Sequence, residues 1–244
     1  MADYHLSTKI ITRSKGQSVC ASASYRSGEK ISDKRTGLTH DYTKKTGVYL
    51  TKVLLPDGAP DRWRNRSILW NEVEEKESRK DAQLAREIEV SLPVELTNKQ
   101  NENLIDSFIK KELLIKGMVV DLALHKMATN NPHAHLLCSM RTIKNGAFSG
   151  KNRGLNSKDF LNHLRESWAN IQNEYLSKHG HDIRVDHRSY EDQGIDKKVS
   201  HHRGPFHQKM VEEHERIKQQ IKNEVREIDE DIKSQKQTKK GPSL

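Results

Sequence analysis

The chain is 244 residues long and carries 43 Lys or Arg against 34 Asp or Glu, a formal net charge of +9. With 33% hydrophobic and 5% aromatic residues it can bury a modest core, as one large domain with an appendage or two small ones, and no apolar run is long enough to span a membrane. The cationic excess favours a polyanionic partner, nucleic acid before a membrane surface. Cys20 and Cys138, the two cysteines, lie inside predicted elements, so a disulfide framework is not expected. The opening MADYHLSTK lacks the apolar core of a secretion signal, which makes the cytoplasm the expected compartment.

In chain order, residues 4–12 read as a strand, and SVCASASYRSGEKIS (18–32) as a helix of small residues. A polar, Gly-punctuated stretch (KRTGLTHDYTKKTG) precedes a strand, VYLTKVLLP, closed by Pro56. Residues 61–78 are predicted helical, with Trp63, Leu69, Trp70 and Val73 as an apolar stripe. REIEVSLP (86–93) is a strand that alternation divides into Glu87, Glu89 and Ser91 on one face and Arg86, Ile88, Val90 and Leu92 on the other. Thr97 with Gln100 forms a capping box opening a helix that buries Leu104, Ile105, Phe108 and Ile109.

Two strands follow. MVVDLALHK (118–126) and PHAHLLCSM (132–140) are joined by a turn-like segment, so they are expected to pair antiparallel. Each has an apolar face and a more polar one, and the polar faces carry His125 on the first strand and His133 and His135 on the second. An H-x-H pair by itself is compatible with surface histidines; the third His at a matching position points to a three-imidazole metal site. Glu87 and Glu89 either orient an imidazole from a neighbouring strand or form the solvent side of an edge strand.

After a Gly-rich loop (145–154), a long helix from about 157 to 179 carries the stripe Phe160, Leu164, Trp168, Ile171 and Tyr175 and stops at Gly180. Residues 181–206 read as an extended arm, 207–236 as a charged amphipathic helix with Met210, Ile217, Ile221, Val225, Ile228 and Ile232 at a/d-like spacing, and 237–244 as a disordered tail. The expected class is α+β: a mainly antiparallel five-stranded sheet with helices packed on one face.

A divalent cation beside a basic surface can polarise a phosphoryl oxygen while a side chain supplies the nucleophile. Tyr25, in a small-residue helix with Arg26 beside it, is the candidate, the alternative being an ordinary partly buried aromatic. Arg13 and Lys15 in TRSKGQ, Arg26 in RSGEK, and Lys151 and Arg153 in GKNRG are expected to track phosphates; Arg188 either contacts DNA or anchors the arm.

The succession YHLSTKIITRSKGQS, ASASYRSGEK, HDYTKKTGV, KDAQLAREIEVSLPVEL, GMVVDLALH, NNPHAHLL and DIRVDHRSYEDQGID resembles the MobA/MobL relaxases, the MOBQ class of plasmid-mobilisation proteins within the HUH endonucleases, over about residues 3–205. The resemblance implies nicking of one strand at the nic site of a plasmid origin of transfer, through a 5′-phosphotyrosyl link that is religated after transfer. It implies Tyr25 as nucleophile, His125, His133 and His135 as ligands of Mg²⁺ or Mn²⁺, and Glu87 as the carboxylate that orients a ligand or helps deprotonate the tyrosine, with Glu89 behind it. By the same resemblance, residues 1–180 form the nicking domain, extended by the arm. Its partners are single-stranded and supercoiled plasmid DNA, accessory mobilisation proteins and a type IV secretion coupling protein, in the bacterial cytoplasm and in transit with the strand. Tyr175 with Lys178 is similar to the tyrosine–lysine helix of rolling-circle replication initiators, which keeps that function as an alternative, beside a non-catalytic DNA-binding protein of degenerate relaxase fold.

Overall fold

Alternation of apolar and polar residues at period two builds the central feature, a five-stranded antiparallel sheet. Its strands are β1 (Leu6–Thr12), β4 (Val48–Leu54), β5 (Gln83–Ser91), β6 (Val120–His125) and β7 (His133–Ser139), in the order β1-β5-β7-β6-β4. Helices α1 (Val19–Ser27), α2 (Arg66–Lys76), α3 (Asn98–Phe108) and α4 (Lys158–Lys178) pack on it, and two hairpins, β2 (Lys30–Ser32) with β3 (Thr39–Asp41) and β8 (Arg141–Lys144) with β9 (Ala147–Lys151), complete the order. The computed structural model describes residues 4–196, 213, 216–220, 222, 223 and 226.

One face of the sheet gives Ile88, Val90, Val120, Leu122, Leu124, Ala134 and Leu136 to a core completed by Leu104, Ile105 and Phe108 of α3 and Phe160, Leu164, Trp168 and Ile171 of α4. Trp168 meets Phe108 edge to face at 5.1 Å. Each fully buried side chain of this kind contributes roughly 1.5–3 kcal/mol of transfer free energy.

The other face is not open along its length, which corrects the expectation of helices on one face only. Val119 and Leu137 enter a second core with Val19, Cys20 and Ala23 of α1 and Leu69, Trp70 and Val73 of α2. The polar residue that alternation assigns to this face, Asp121, is buried because α2 brings it partners: Arg66 Nε donates to both its oxygens at 2.9 and 2.8 Å, and Trp70 Nε1 donates at 2.8 Å. A buried carboxylate so neutralised lets a helix cover a face that reads as solvent-exposed. At the histidine end of the same face His125 is buried, while His133 and His135 are half-buried.

Sequence and structure differ in two further places. The first helix stops at Ser27, because Gly28 adopts a left-handed φ of 68° and the Ser24 hydroxyl donates to the carbonyls of Glu29 (2.6 Å) and His40 (2.9 Å), tying the chain into the β2–β3 hairpin. The Gly-rich loop 145–154 holds the turn and second strand of the β8–β9 hairpin, turned by Asn145 and Gly146 at φ 52° and 71° with Lys144 opposite Ala147. Two consecutive positive φ values match a type I′ turn, and Asn-Gly was its signal. Stacking of Phe148 on Trp63 at 4.0 Å fixes this hairpin to the second core.

The capping box at α3 is formed as expected: Thr97 Oγ1 accepts from Gln100 N at 3.3 Å, and Gln100 Oε1 accepts from Thr97 N at 2.8 Å. Thr97→Ala is expected to lower the unfolding free energy by about 1 kcal/mol. Urea denaturation checks this as a lower midpoint with unchanged slope.

The chain divides into two compact units, Met1–Arg188 and Ser189–Leu244. In the second, a turn closes through Gln193 N donating to Ser189 O at 3.1 Å, and residues 213, 216–220, 222, 223 and 226 are helical. Ile217 is exposed; Met210, Ile221, Val225, Ile228 and Ile232, residues 197–206 of the arm and the tail 237–244 lie outside the described residues.

Candidate metal centre and nucleophile

Strand register assembles the centre. His125 on β6 stands directly opposite His133 on β7, and His135, two positions along, leaves the same face. The three rings pack with centroids 4.8–5.5 Å apart, and one ligating nitrogen from each lies within 4.8 Å of the others. On the opposite side of β7, β5 sets Glu89 across from His135 and Glu87 one pair further along. Glu87, Glu89 and His135 form a second, overlapping group of possible ligands.

The donor set fits a divalent cation. His125 Nε2 bonds the Arg26 carbonyl at 2.7 Å, His133 Nδ1 the Asn131 carbonyl at 2.9 Å, and His135 Nδ1 the Glu87 carboxylate at 3.0 Å. These acceptors cannot donate, so each ring nitrogen named carries the proton and the other keeps a lone pair for a ligand bond. Burial pushes the His125 pKa down to about 4 and lowers that of His133, so both are neutral near pH 7, as ligands must be.

Glu87 is buried at 1% exposure and accepts from His135, from both Nε and Nη2 of Arg26, and from Lys9 Nζ at 2.8 Å. Burial alone would raise its pKa, but the bonds from His135, Arg26 and Lys9 outweigh that and hold the carboxyl well below the usual range. Such a group orients an imidazole well and is a poor base. Of the two roles expected for Glu87, deprotonation of the tyrosine is therefore disfavoured. Glu89 is farther out, 3.9 Å from His135 Nδ1.

Arg26 links this centre to α1, since its carbonyl holds His125 and its guanidinium holds Glu87. Tyr25, the residue before it, leaves α1 with 51% of its surface exposed. Tyr175 is elsewhere: it packs against the core under the opposite sheet face, its hydroxyl within 2.7 Å of Ser107 Oγ and donating to Asn103 O at 3.1 Å.

Several cations expected to track phosphates are engaged within the protein. Arg13 donates to the Glu74 carboxylate at 2.7 Å and to the carbonyls of Glu74, Glu77 and Arg79. Arg26 is held by Glu87, and Lys151 by Glu77 at 2.9 Å and the Gln83 carbonyl at 2.7 Å. Each of these three meets a carboxylate of the chain itself. Arg188 pairs with Asp186 at 2.6 Å, while Lys15 and Arg153 are exposed. Sequence reading missed Lys9, whose place opposite Glu87 follows only from the β1–β5 register.

Fold and site together define an antiparallel-sheet α+β protein with a three-histidine, carboxylate-supported site able to hold a metal. The chain belongs to the MobA/MobL family, whose model matches residues 17–213. It is 35% identical to mobilization protein MobL of Acidithiobacillus ferridurans, over 84% of this chain and 62% of that one. It is also 35% identical to conjugal transfer protein TraA of Rhizobium radiobacter, over 84% of this chain and 21% of that one, so it spans only part of the curated relatives it matches. A solved structure reported for the molecular basis of vancomycin resistance transfer in Staphylococcus aureus is 38% identical with a TM-score of 0.73, over 78% of this chain and 100% of that one. No helix among the described residues is long and apolar enough to cross a membrane.

Proposed function

We propose that this protein is a relaxase that nicks one DNA strand at the nic site of a plasmid origin of transfer and religates it after conjugative transfer. The observation that carries the reading is the continuity of α1 with the histidine centre: Arg26 bonds both His125 and Glu87, and the exposed Tyr25 precedes it. Family membership supports it.

Tyr25 Oη attacks the scissile phosphorus, a Tyr25 O–P bond forms as the bond from phosphorus to the 3′ oxygen breaks, and the phenol proton passes to water while the 3′ oxygen takes one up. Bond energy is conserved, so the step reverses without ATP. His125, His133 and His135 hold Mg²⁺ or Mn²⁺, and imidazole donors favour Mn²⁺ of the two. The bound cation supplies polarisation of the phosphoryl oxygen. Glu87 fixes the His135 ring, and Arg26 and Lys9 fix Glu87. Lys15 and Arg153 remain available for phosphates in a salt-sensitive groove.

Nicking is assigned to residues 1–180, with 181–206 as an arm of the same region. The substrates are single-stranded and supercoiled plasmid DNA, and accessory mobilisation proteins and a type IV secretion coupling protein act with it, in the bacterial cytoplasm and in transit with the strand. The packing of Tyr175 beneath the other sheet face disfavours an initiator-like role for it. The test is incubation with single-stranded oligonucleotides tiled across the inverted repeats of the encoding replicon, resolved on a denaturing gel. A covalent protein–DNA band abolished by EDTA is expected; a salt-sensitive shift with no covalent band would identify a binding protein instead.

Glu87→Gln is expected to weaken Mn²⁺ binding about 10- to 100-fold, because a His135 ring that loses its carboxylate loses both orientation and basicity. Calorimetric titration of the metal into the free protein measures this. Unchanged affinity would remove Glu87 from the centre.

A further inference from the structure

Tyr25 is exposed, and an exposed phenol ring ordinarily samples several rotamers, which a nucleophile cannot do without losing rate. Its surroundings restrict it. Lys45 Nζ lies 3.8 Å from the centroid of the Tyr25 ring, and the same ammonium donates to the Tyr25 backbone carbonyl at 2.7 Å. Tyr42 meets the ring edge to face, with centroids 5.2 Å apart and planes at 86°.

Both contacts come from one short segment held in place by its own bonds. Lys45 N donates to Tyr42 O at 2.9 Å, Tyr42 N to Glu29 O at 3.4 Å, and Lys126 N to Gly47 O at 2.9 Å. Lys45 is half-buried, while its neighbour Lys44 is exposed, and among the described residues no carboxylate pairs with the Lys45 ammonium. An ammonium spent on one carbonyl and one aromatic face keeps its charge unneutralised beside the Tyr25 ring.

We propose that Lys45, supported by Tyr42, is the positioning residue for the Tyr25 nucleophile: it holds the ring in one orientation and sets a positive charge beside the phenol as negative charge develops on its oxygen. The inference rests on the reading of Tyr25 as nucleophile. Positioning and field act on the chemical step, so their loss lowers the rate at saturating DNA and leaves DNA affinity nearly unchanged.

The test measures single-turnover covalent adduct formation at saturating oligonucleotide, and the oligonucleotide Kd by anisotropy, for Lys45→Ala, Lys45→Arg, Tyr42→Leu and Tyr25→Phe, each verified as folded by circular dichroism. Lys45→Ala is expected to slow adduct formation about tenfold, with Kd changed by less than about threefold. Lys45→Arg, which keeps charge and donors, is expected to recover most of the rate, and Tyr42→Leu to fall between wild type and Lys45→Ala. A wild-type rate in Lys45→Ala, or a loss confined to Kd, overturns the proposal. If Tyr25→Phe is inert and Lys45→Ala unchanged, only the positioning role fails; if Tyr25→Phe still forms adduct, the nucleophile reading fails and the positioning role with it.

Discussion

Tyr25→Phe is expected to lower covalent adduct formation by on the order of 10⁴-fold or more, the scale seen when a covalent nucleophile is deleted. The substitution removes one oxygen and leaves the ring, so the contacts to Tyr42 and Lys45 persist. Tyr25 is 51% exposed as a residue, so stability is expected to stay within about 0.5 kcal/mol of wild type. Metal affinity is expected to be unchanged, since each ring of the centre is held by Arg26 O, Asn131 O or Glu87. Rate, stability and metal binding therefore separate cleanly in this variant. A hydrolytic metalloenzyme using activated water would instead keep its turnover.

The second large effect concerns stability. Asp121→Ala is expected to destabilise the first unit by about 3–5 kcal/mol, because it strands a buried guanidinium and a buried indole N–H. Arg66 is 6% exposed, and its other carboxylate partner, Glu29, is half exposed. Against a total stability of roughly 5–15 kcal/mol, the loss corresponds to a drop in Tm on the order of 10 °C. The double variant Asp121→Leu with Arg66→Met is expected to recover much of it, since apolar replacements of similar volume remove the unpaired charge. Failure of the double variant to recover would mean that packing of α2, rather than the ion pair, sets the cost.

These two sites also mark where the sequence was legible. The histidine centre follows from period-two alternation on two strands joined by a short turn, and the Thr97–Gln100 box from local chemistry alone. The cover over the second sheet face was not legible. It depends on Asp121 meeting Arg66 and Trp70 from another element, and alternation marks such an Asp as solvated. The carboxylate partners of Arg13, Arg26 and Lys151 were not legible either, because Glu74, Glu87 and Glu77 are all distant from them in sequence. The two small hairpins were missed because strands of three to five residues are too short to display a period, although Asn145-Gly146 was a usable turn signal.

The contacts of Glu87 were equally hidden. A carboxylate beside a tyrosine invites assignment as a base, yet His135, Arg26 and Lys9 hold this one well below the usual carboxylate range, which favours orienting His135 over accepting a proton.

The most direct test of the account is to trap the adduct with a single-stranded nic oligonucleotide, digest it with nuclease and trypsin, and map the nucleotide-bearing peptide by mass spectrometry. The expected result is a 5′-phosphotyrosyl modification on GQSVCASASYR, at Tyr25, formed only when divalent metal is present. Modification of TGLTHDYTK at Tyr42, of Tyr175, or of no residue while the strand is cut, would contradict it.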